Sequence, residues 1–189
     1  MPELRILIVD DEAPARARMR ELLGDIRDEV PNCVVGEAEN GIVAINRLAD
    51  DAPDVVLADI RMPKMDGIEL ARHLATLPNP PAVVFATAYD AYAMQAFDLN
   101  AVDYLLKPVR AARLAAALGK ARMLHPPAPA MLEALQPEGR SHLSCHERGR
   151  LLLVPVADIL YLKADLKYVT ARTKEREYLL DESLMHLET

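Results

Sequence analysis

Five polar side chains directly follow short apolar runs that have the composition of buried β-strands. They are Asp10, Asp11, Asp59, Thr87 and Lys107. In open α/β sheets, ligands bind just beyond the carboxyl ends of the strands, so we expect these side chains to share one crevice. Each residue alone has a simpler explanation, because Asp and Thr often cap helices and Lys-Pro is common in turns. Their occurrence at four strand ends, in order along the chain, favours a shared site.

Three carboxylates in one crevice repel one another unless a cation lies among them. Asp10, Asp11 and Asp59 offer only oxygen ligands, which favours Mg²⁺, an ion that keeps several waters and typically bridges to a phosphate. Thr87 adds a hydroxyl donor, and Lys107 adds a mobile ammonium group that suits a phosphoryl group. An aspartate carboxylate can itself attack phosphorus and form an acyl phosphate. These residue types therefore predict a small anion site with its own Mg²⁺, suited to phosphoryl transfer.

The elements that must position these side chains alternate between strand and helix. Apolar runs predict strands at 5–9, 33–35, 55–58, 82–86 and 102–106. Helical spacing follows each run and includes a short helix at 91–97 and an alanine-rich helix at 111–124. This alternation predicts an α/β fold, a five-stranded doubly wound parallel sheet of the flavodoxin-like order 2-1-3-4-5. The crevice of that order lies between strands 1 and 3, where the three aspartates are placed.

The sequence pattern changes after residue 124. Residues 125–139 contain four prolines and predict a linker between domains at 1–124 and 140–189. Short strands separated by turn clusters are then predicted at 143–145, 151–154, 159–162, 168–171 and 178–180. The turn clusters begin at Glu147, Ala164 and Thr173. This spacing favours a mainly antiparallel β domain, with a last helix at 182–188.

Composition narrows the classes of protein that fit. The 189 residues are 51% hydrophobic and 27% charged, as in globular proteins, and the net charge of −7 argues against a large nucleic-acid footprint within this chain. No apolar run approaches the roughly 20 residues of a membrane span, and the N-terminus has no signal-peptide pattern. Cys33 and Cys145 fit no metal or redox spacing. We therefore expect a cytoplasmic protein with reduced thiols and no membrane partner.

Four motifs occur in order within the first 124 residues. They are Val9-Asp10-Asp11-Glu12, Asp59 followed by Met62-Pro63-Lys64-Met65-Asp66-Gly67, Thr87-Ala88, and Tyr104 three residues before Lys107-Pro108. As a set they resemble the receiver domain of two-component response regulators. The resemblance implies that Asp59 accepts a phosphoryl group from a sensor histidine kinase. It implies two groups of site residues: Mg²⁺ ligands from Asp10, Asp11, Asp59 and the backbone carbonyl of Arg61, and phosphoryl contacts from Thr87 and Lys107.

Tyr104 resembles the switch aromatic of this family, although a packed core tyrosine is the simpler role. The resemblance implies that Thr87 moves toward the new phosphate and that the Tyr104 ring turns inward. This change would remodel the face formed by the predicted helix at 91–97, the strand at 102–106 and the helix at 111–124. A phosphorylation-dependent homodimer through that face is the implied consequence. A cis peptide bond at Lys107-Pro108 is also usual in this family.

Residues 141–189 carry a second resemblance. The matching segments are Ser141-His142-Leu143, the stretch 156–164, the stretch 168–173 and the strand-to-helix passage at 177–187. They are similar to the first half of a LytTR-type DNA-binding domain, and the overall layout resembles the alginate-biosynthesis regulator family. Promoter DNA is the implied partner. The candidate DNA contacts are Lys163, Lys167, Arg172, Lys174 and Arg176, for which a solvated β-hairpin surface is an equally good explanation.

Three functions fit these patterns. The first is a phosphorylation-controlled transcription regulator, and the second is a phosphate relay or sink that does not bind DNA because the output domain is incomplete. The third is a phosphatase with an aspartyl-phosphate intermediate. Such phosphatases resemble this site but place a second Asp two residues after the nucleophile, where this chain has Arg61. We therefore predict a regulator rather than an enzyme.

Overall fold

The apolar runs of the first half of the chain form one parallel sheet in the order β2-β1-β3-β4-β5. The structure is a computed structural model, and it describes residues 3–88, 103–123, 141–147, 150–165 and 168–180. The elements are β1 (Leu4–Val9), α1 (Ala13–Asp25), β2 (Asn32–Ala38), α2 (Gly41–Asp51), β3 (Val55–Ala58), α3 (Gly67–Ala75), β4 (Ala82–Thr87), β5 (Asp103–Leu106) and α4 (Ala111–Ala121). The predicted fold class and strand order are both confirmed.

Burial on both faces explains why the strands of this sheet are continuous apolar runs. All four residues of β3 are buried, and in the parallel register Leu57 lies beside Ile8 of β1 and Val84 of β4. Contacts of α1 with α4, and of α2 with α3, pair the helices into two covering layers. The helix starts are fixed locally, since Asn40 caps α2 and Asp66 caps α3 through bonds to backbone N–H groups.

The chain divides into two units, residues 1–137 and 138–189, and the second is built from antiparallel strands. Its elements are β6 (His142–Glu147), β7 (Arg150–Pro155), a 3₁₀ turn (Val156–Asp158), β8 (Ile159–Asp165), β9 (Tyr168–Thr173) and β10 (Glu177–Leu180). β6 pairs with β7, and the other three form a sheet in the order β10-β9-β8. A small core includes Leu143, Val154 and Val169. All five predicted strands are present, as the antiparallel prediction requires.

The turns predicted in the second unit begin too early, because Glu147, Ala164 and Thr173 each lie in a strand. We expected a turn to begin at Ala164, but β8 continues through Asp165. The reason is the hairpin ladder, in which Ala164 pairs with Val169 and Asp165 pairs with Tyr168. The helices predicted at 91–97 and 182–188, and the linker predicted at 125–139, lie outside the described residues. Among the helices that are described, none is long and apolar enough to cross a membrane.

Candidate functional site

Backbone hydrogen bonds between neighbouring strands hold the site residues in place. The Asp59 N–H donates to the carbonyl of Val9 (2.8 Å), which ties the end of β3 to the end of β1. The Asp10 N–H donates to the carbonyl of Ala38 in β2 (3.0 Å), and the Lys107 N–H donates to that of Thr87 (2.9 Å). The hydrogen bonding of the sheet therefore continues one residue past these strand ends. It fixes the backbone from which the Asp10, Asp59 and Lys107 side chains extend.

Three carboxylates meet at this edge of the sheet. Ligand oxygens of Asp10, Asp11 and Asp59 all lie within 4.8 Å of one another. Asp10 is buried, Asp59 is nearly so and Asp11 is exposed, so the cluster opens to solvent on one side. The Asp59 Oδ1 atom is buried and has no hydrogen-bond partner among the described residues. An all-oxygen cluster with an unsatisfied carboxylate oxygen fits a hard divalent cation such as Mg²⁺.

Lys107 joins two of these carboxylates. Its Nζ donates to Asp10 Oδ2 at 2.6 Å and to Asp59 Oδ2 at 2.9 Å. Partial burial lowers the pKa of the Lys107 ammonium group, but the hydrogen bonds to Asp10 and Asp59 outweigh that effect and leave the pKa above its ordinary value. Lys107 is therefore a cation at neutral pH, placed beside the oxygens of Asp59. The Lys107-Pro108 peptide bond is cis.

Thr87 and Tyr104 lie on the neighbouring strands β4 and β5. The Thr87 side chain is fully buried, and its Oγ1 has no hydrogen-bond partner among the described residues. Tyr104 is buried beside Phe85 of β4. The Arg113 side chain, from α4, donates to the Tyr104 carbonyl (3.0 Å) and to Asp103 Oδ1 (3.0 Å). Because the Thr87 hydroxyl has no partner among the described residues, it can donate a hydrogen bond to a group bound at the edge of the sheet where the carboxylates lie.

Asp103 supports a prediction about pH. Burial raises the pKa of its carboxyl group, but hydrogen bonds from Arg113 and the Tyr104 N–H, with help from Lys120, outweigh burial and hold the pKa below its ordinary value. A carboxyl whose pKa is lower in the folded state contributes stability above its unfolded pKa of about 4 and loses it as pH falls. We expect Asp103→Asn to reduce the free energy of unfolding by about 1 kcal/mol at neutral pH. Urea unfolding should show this difference shrinking below about pH 4. The exposed Asp28→Asn change is the control, and a difference at Asp103 that is independent of pH would point to packing instead.

The loop after β3 depends on Gly67. A Cβ atom at this position would stand 2.1 Å from the backbone oxygen of Asp59, so only glycine fits. The Gly67 N–H donates to the carbonyl of Ile60 (2.8 Å), and Asp66 caps α3 by accepting from the Glu69 N–H (2.7 Å). These bonds close the loop around Asp59. The exposed Arg61, the predicted carbonyl ligand, lies in this loop.

Sequence reasoning missed Arg16 of α1. Its Nη1 donates to the backbone carbonyl of Asp10 at 2.7 Å, and its Nε pairs with Glu37 of β2 at 3.2 Å. No motif or spacing indicates that this arginine contacts the backbone at Asp10. Glu12 is the N-cap residue of α1 but makes no side-chain capping bond, and its N–H donates to Asp10 Oδ1 (2.9 Å).

The candidate DNA contacts of the second unit have different environments. Arg172 pairs with Glu177 (3.4 Å), and Arg176 pairs with Glu147 (3.0 Å) and lies 4.4 Å from the centre of the Tyr178 ring. The two lysines described, Lys163 and Lys174, are exposed, and Lys167 lies outside the described residues. Acidic neighbours thus offset the charge of the two arginines.

Comparison with protein families assigns both units. A response regulator receiver domain matches residues 6–119, and a LytTr DNA-binding domain matches residues 149–189. Among solved structures, the response regulatory domain of protein mrkE from Klebsiella pneumoniae aligns with a TM-score of 0.53 and 32% identity, covering 64% of this chain and 96% of that domain. The first unit therefore has the fold of a receiver domain.

Relatives share both units in the same chain. The positive alginate biosynthesis regulatory protein of Pseudomonas aeruginosa is 41% identical over 98% of this chain and 75% of its own length. The sensory transduction protein LytT of Bacillus subtilis is 33% identical over 98% of this chain and 75% of its own length. The chain therefore belongs to the two-component response regulators, as a transcriptional regulator in which a receiver domain is followed by a LytTr DNA-binding domain.

Proposed function

We propose that Asp59 accepts a phosphoryl group from a sensor histidine kinase in a Mg²⁺-dependent reaction. The observation that carries this proposal is the environment of the Asp59 carboxylate. Lys107 holds one of its oxygens, while the other is buried and has no partner among the described residues. Ligand oxygens of Asp10 and Asp11 lie within 4.8 Å of an Asp59 oxygen. A carboxylate with one anchored and one unsatisfied oxygen is prepared to act as a nucleophile.

In the proposed transfer, an Asp59 oxygen forms a bond to phosphorus as the bond from phosphorus to the kinase histidine nitrogen breaks. Mg²⁺, held by Asp10, Asp11, Asp59 and the carbonyl of Arg61, would neutralise charge on the phosphoryl oxygens. Lys107 supplies a second positive charge from a fixed position beside Asp59. The product is an acyl phosphate, and it adds a charge of about −1.5 to −2 at this edge of the sheet.

That added charge is the signal in our proposal. The Thr87 hydroxyl, which has no hydrogen-bond partner among the described residues, can donate to a phosphoryl oxygen, and movement of Thr87 would give the Tyr104 ring space to turn inward. Tyr104 lies on β5, which is the middle element of the face proposed for homodimerisation. This face comprises the predicted helix at 91–97, β5 and α4. Phosphorylation would then bring two LytTr domains together on promoter DNA.

The remaining proposals concern the domains and the DNA contacts. We propose a receiver at 1–124, a linker at 125–139 and a DNA-binding segment at 140–189. The proposed DNA contacts are Lys163, Lys167, Arg172, Lys174 and Arg176, and acidic neighbours partly offset the charge of Arg172 and Arg176. A relay or sink without DNA binding is not favoured, since the LytTr match covers residues 149–189.

The test is phosphorylation of the full chain by a small acyl phosphate donor such as acetyl phosphate, with Mg²⁺ or with EDTA. We expect the intact mass to increase by one phosphoryl group only when Mg²⁺ is present, and peptide mapping should place that group on Asp59. Duplex DNA binding measured on both forms should fall steeply with salt and should be tighter for the phosphorylated form. A folded chain that takes up no phosphoryl group in Mg²⁺ would refute the proposal.

A further inference from the structure

Arg16 contacts the backbone of both acidic residues that follow β1. Its Nη1 donates to the Asp10 carbonyl at 2.7 Å and approaches the Asp11 carbonyl at 3.4 Å. The Arg16 side chain is only 19% exposed, so this guanidinium group lies largely inside the protein. It touches neither carboxylate through these bonds, since both acceptors are backbone oxygens. Its effect on the site must therefore pass through the position of the peptide units at Asp10 and Asp11.

Glu37 in β2 fixes the other side of the same guanidinium group. Its Oε2 lies 3.2 Å from Arg16 Nε. The next residue, Ala38, accepts the hydrogen bond of the Asp10 N–H (3.0 Å), so β2 anchors the Asp10 residue twice, once directly and once through Arg16. A planar guanidinium group presents its N–H donors in a rigid fork, so it can hold a carboxylate and a carbonyl in a fixed relative geometry, whereas a lysine ammonium group is a point charge on a flexible stem.

We propose that Arg16 is a positioning residue that sets the Asp10 and Asp11 carboxylates for a divalent cation. This inference rests on the metal site of the proposed function. Two effects of Arg16 oppose each other: its positive charge would weaken binding of a cation, whereas its grip on the backbone preorganises the ligands. Glu37 offsets the charge locally, so we expect positioning to dominate. A lower Mg²⁺ affinity after removal of Arg16 would show that positioning dominates, whereas a higher affinity would show that charge repulsion dominates.

The test is Mg²⁺ affinity of the full chain, obtained from amide chemical shifts by NMR during titration. We expect Arg16→Gln to weaken Mg²⁺ binding by about tenfold, as loss of groups that orient metal ligands usually does. Arg16→Lys should also bind more weakly than the parent chain, because it keeps the charge but not the planar fork. In the metal-free state, the Glu12 amide, which donates to Asp10 Oδ1, should exchange faster with solvent in Arg16→Gln. Thermal unfolding should show that both variants are folded.

The matched control is Arg20→Gln. Arg20 lies one turn along α1 and reaches the other oxygen of Glu37 (Nη1–Oε1 3.2 Å), but among the described residues it makes no bond to the Asp10 or Asp11 carbonyls. We expect its Mg²⁺ affinity to stay near that of the parent chain. An affinity that rises or is unchanged in Arg16→Gln, or that falls equally in both variants, would overturn the inference. If the parent chain itself binds no Mg²⁺, the proposed function fails at its metal site, which is a different result.

Discussion

Asp59→Asn is expected to take up no phosphoryl group from acetyl phosphate, although the variant should fold like the parent chain. Asparagine has the same shape as aspartate, so the bond from the residue 59 N–H to the Val9 carbonyl can persist. Its neutral amide lacks the anionic oxygen that attacks phosphorus. It also removes one of the three charged oxygen ligands, so we expect weaker Mg²⁺ binding. Intact mass after incubation with donor and Mg²⁺ is the measurement.

Asp54→Asn provides a matched control for this prediction. Asp54 immediately precedes β3 and Asp59 immediately follows it, so the two carboxylates stand at opposite ends of one strand. Asp54 Oδ2 accepts the Arg5 N–H at 2.9 Å, a bond that an asparagine oxygen can replace. This variant should be phosphorylated as fully as the parent chain. Uptake that persists in Asp59→Asn at the parental rate would place the acceptor elsewhere.

The sheet and the placement of its polar strand ends were predictable because both follow from local pattern. An unbroken apolar run such as Val55–Ala58 specifies a strand covered on both faces, and alternation with helices leaves few arrangements of parallel strands. Once that order is known, Asp10 and Asp59 must follow adjacent strands. The turn predicted to begin at Ala164 was placed too early because hairpin length depends on the cross-strand ladder, which composition does not reveal.

The contacts that tune the site could not be predicted in this way. Lys107 pairs with a carboxylate 97 residues earlier in the chain and with another 48 residues earlier. The strand order predicts that these residues share one edge of the sheet, but the oxygens that Lys107 contacts depend on side-chain geometry, which the sequence pattern does not give. Arg16 is less predictable still, since an arginine near the start of a surface helix usually faces solvent. Its partner Glu37 lies 21 residues away in an edge strand, and nothing in the spacing connects the two.

Gly67→Ala is expected to destabilise the receiver strongly and to disturb Asp59. The new Cβ atom would stand 2.1 Å from the Asp59 backbone oxygen, 3.0 Å from its carbonyl carbon and 3.1 Å from the Ile60 Cα. All three are backbone atoms, so no flexible side chain can move aside to make space. The backbone itself is held in place, because the Asp59 N–H and the Gly67 N–H both donate hydrogen bonds. We expect a loss of about 3 kcal/mol in the free energy of unfolding, at the upper end for overpacking. Urea unfolding measures this loss.

Gly119→Ala is the control for steric crowding, because it adds the same methyl group at a position with open space around it. Gly119 lies within α4, and a Cβ there would meet nothing within 4 Å. Alanine is the better helix former, so this variant should gain up to about 1 kcal/mol and be phosphorylated normally. Gly67→Ala should lose stability and also take up the phosphoryl group more slowly under conditions where it is still folded. Equal stability of the two variants would show that the loop can relax around a methyl group. A slow but folded Gly67→Ala chain would instead show that the close approach of Gly67 to the Asp59 peptide holds the phosphate acceptor in its reactive position.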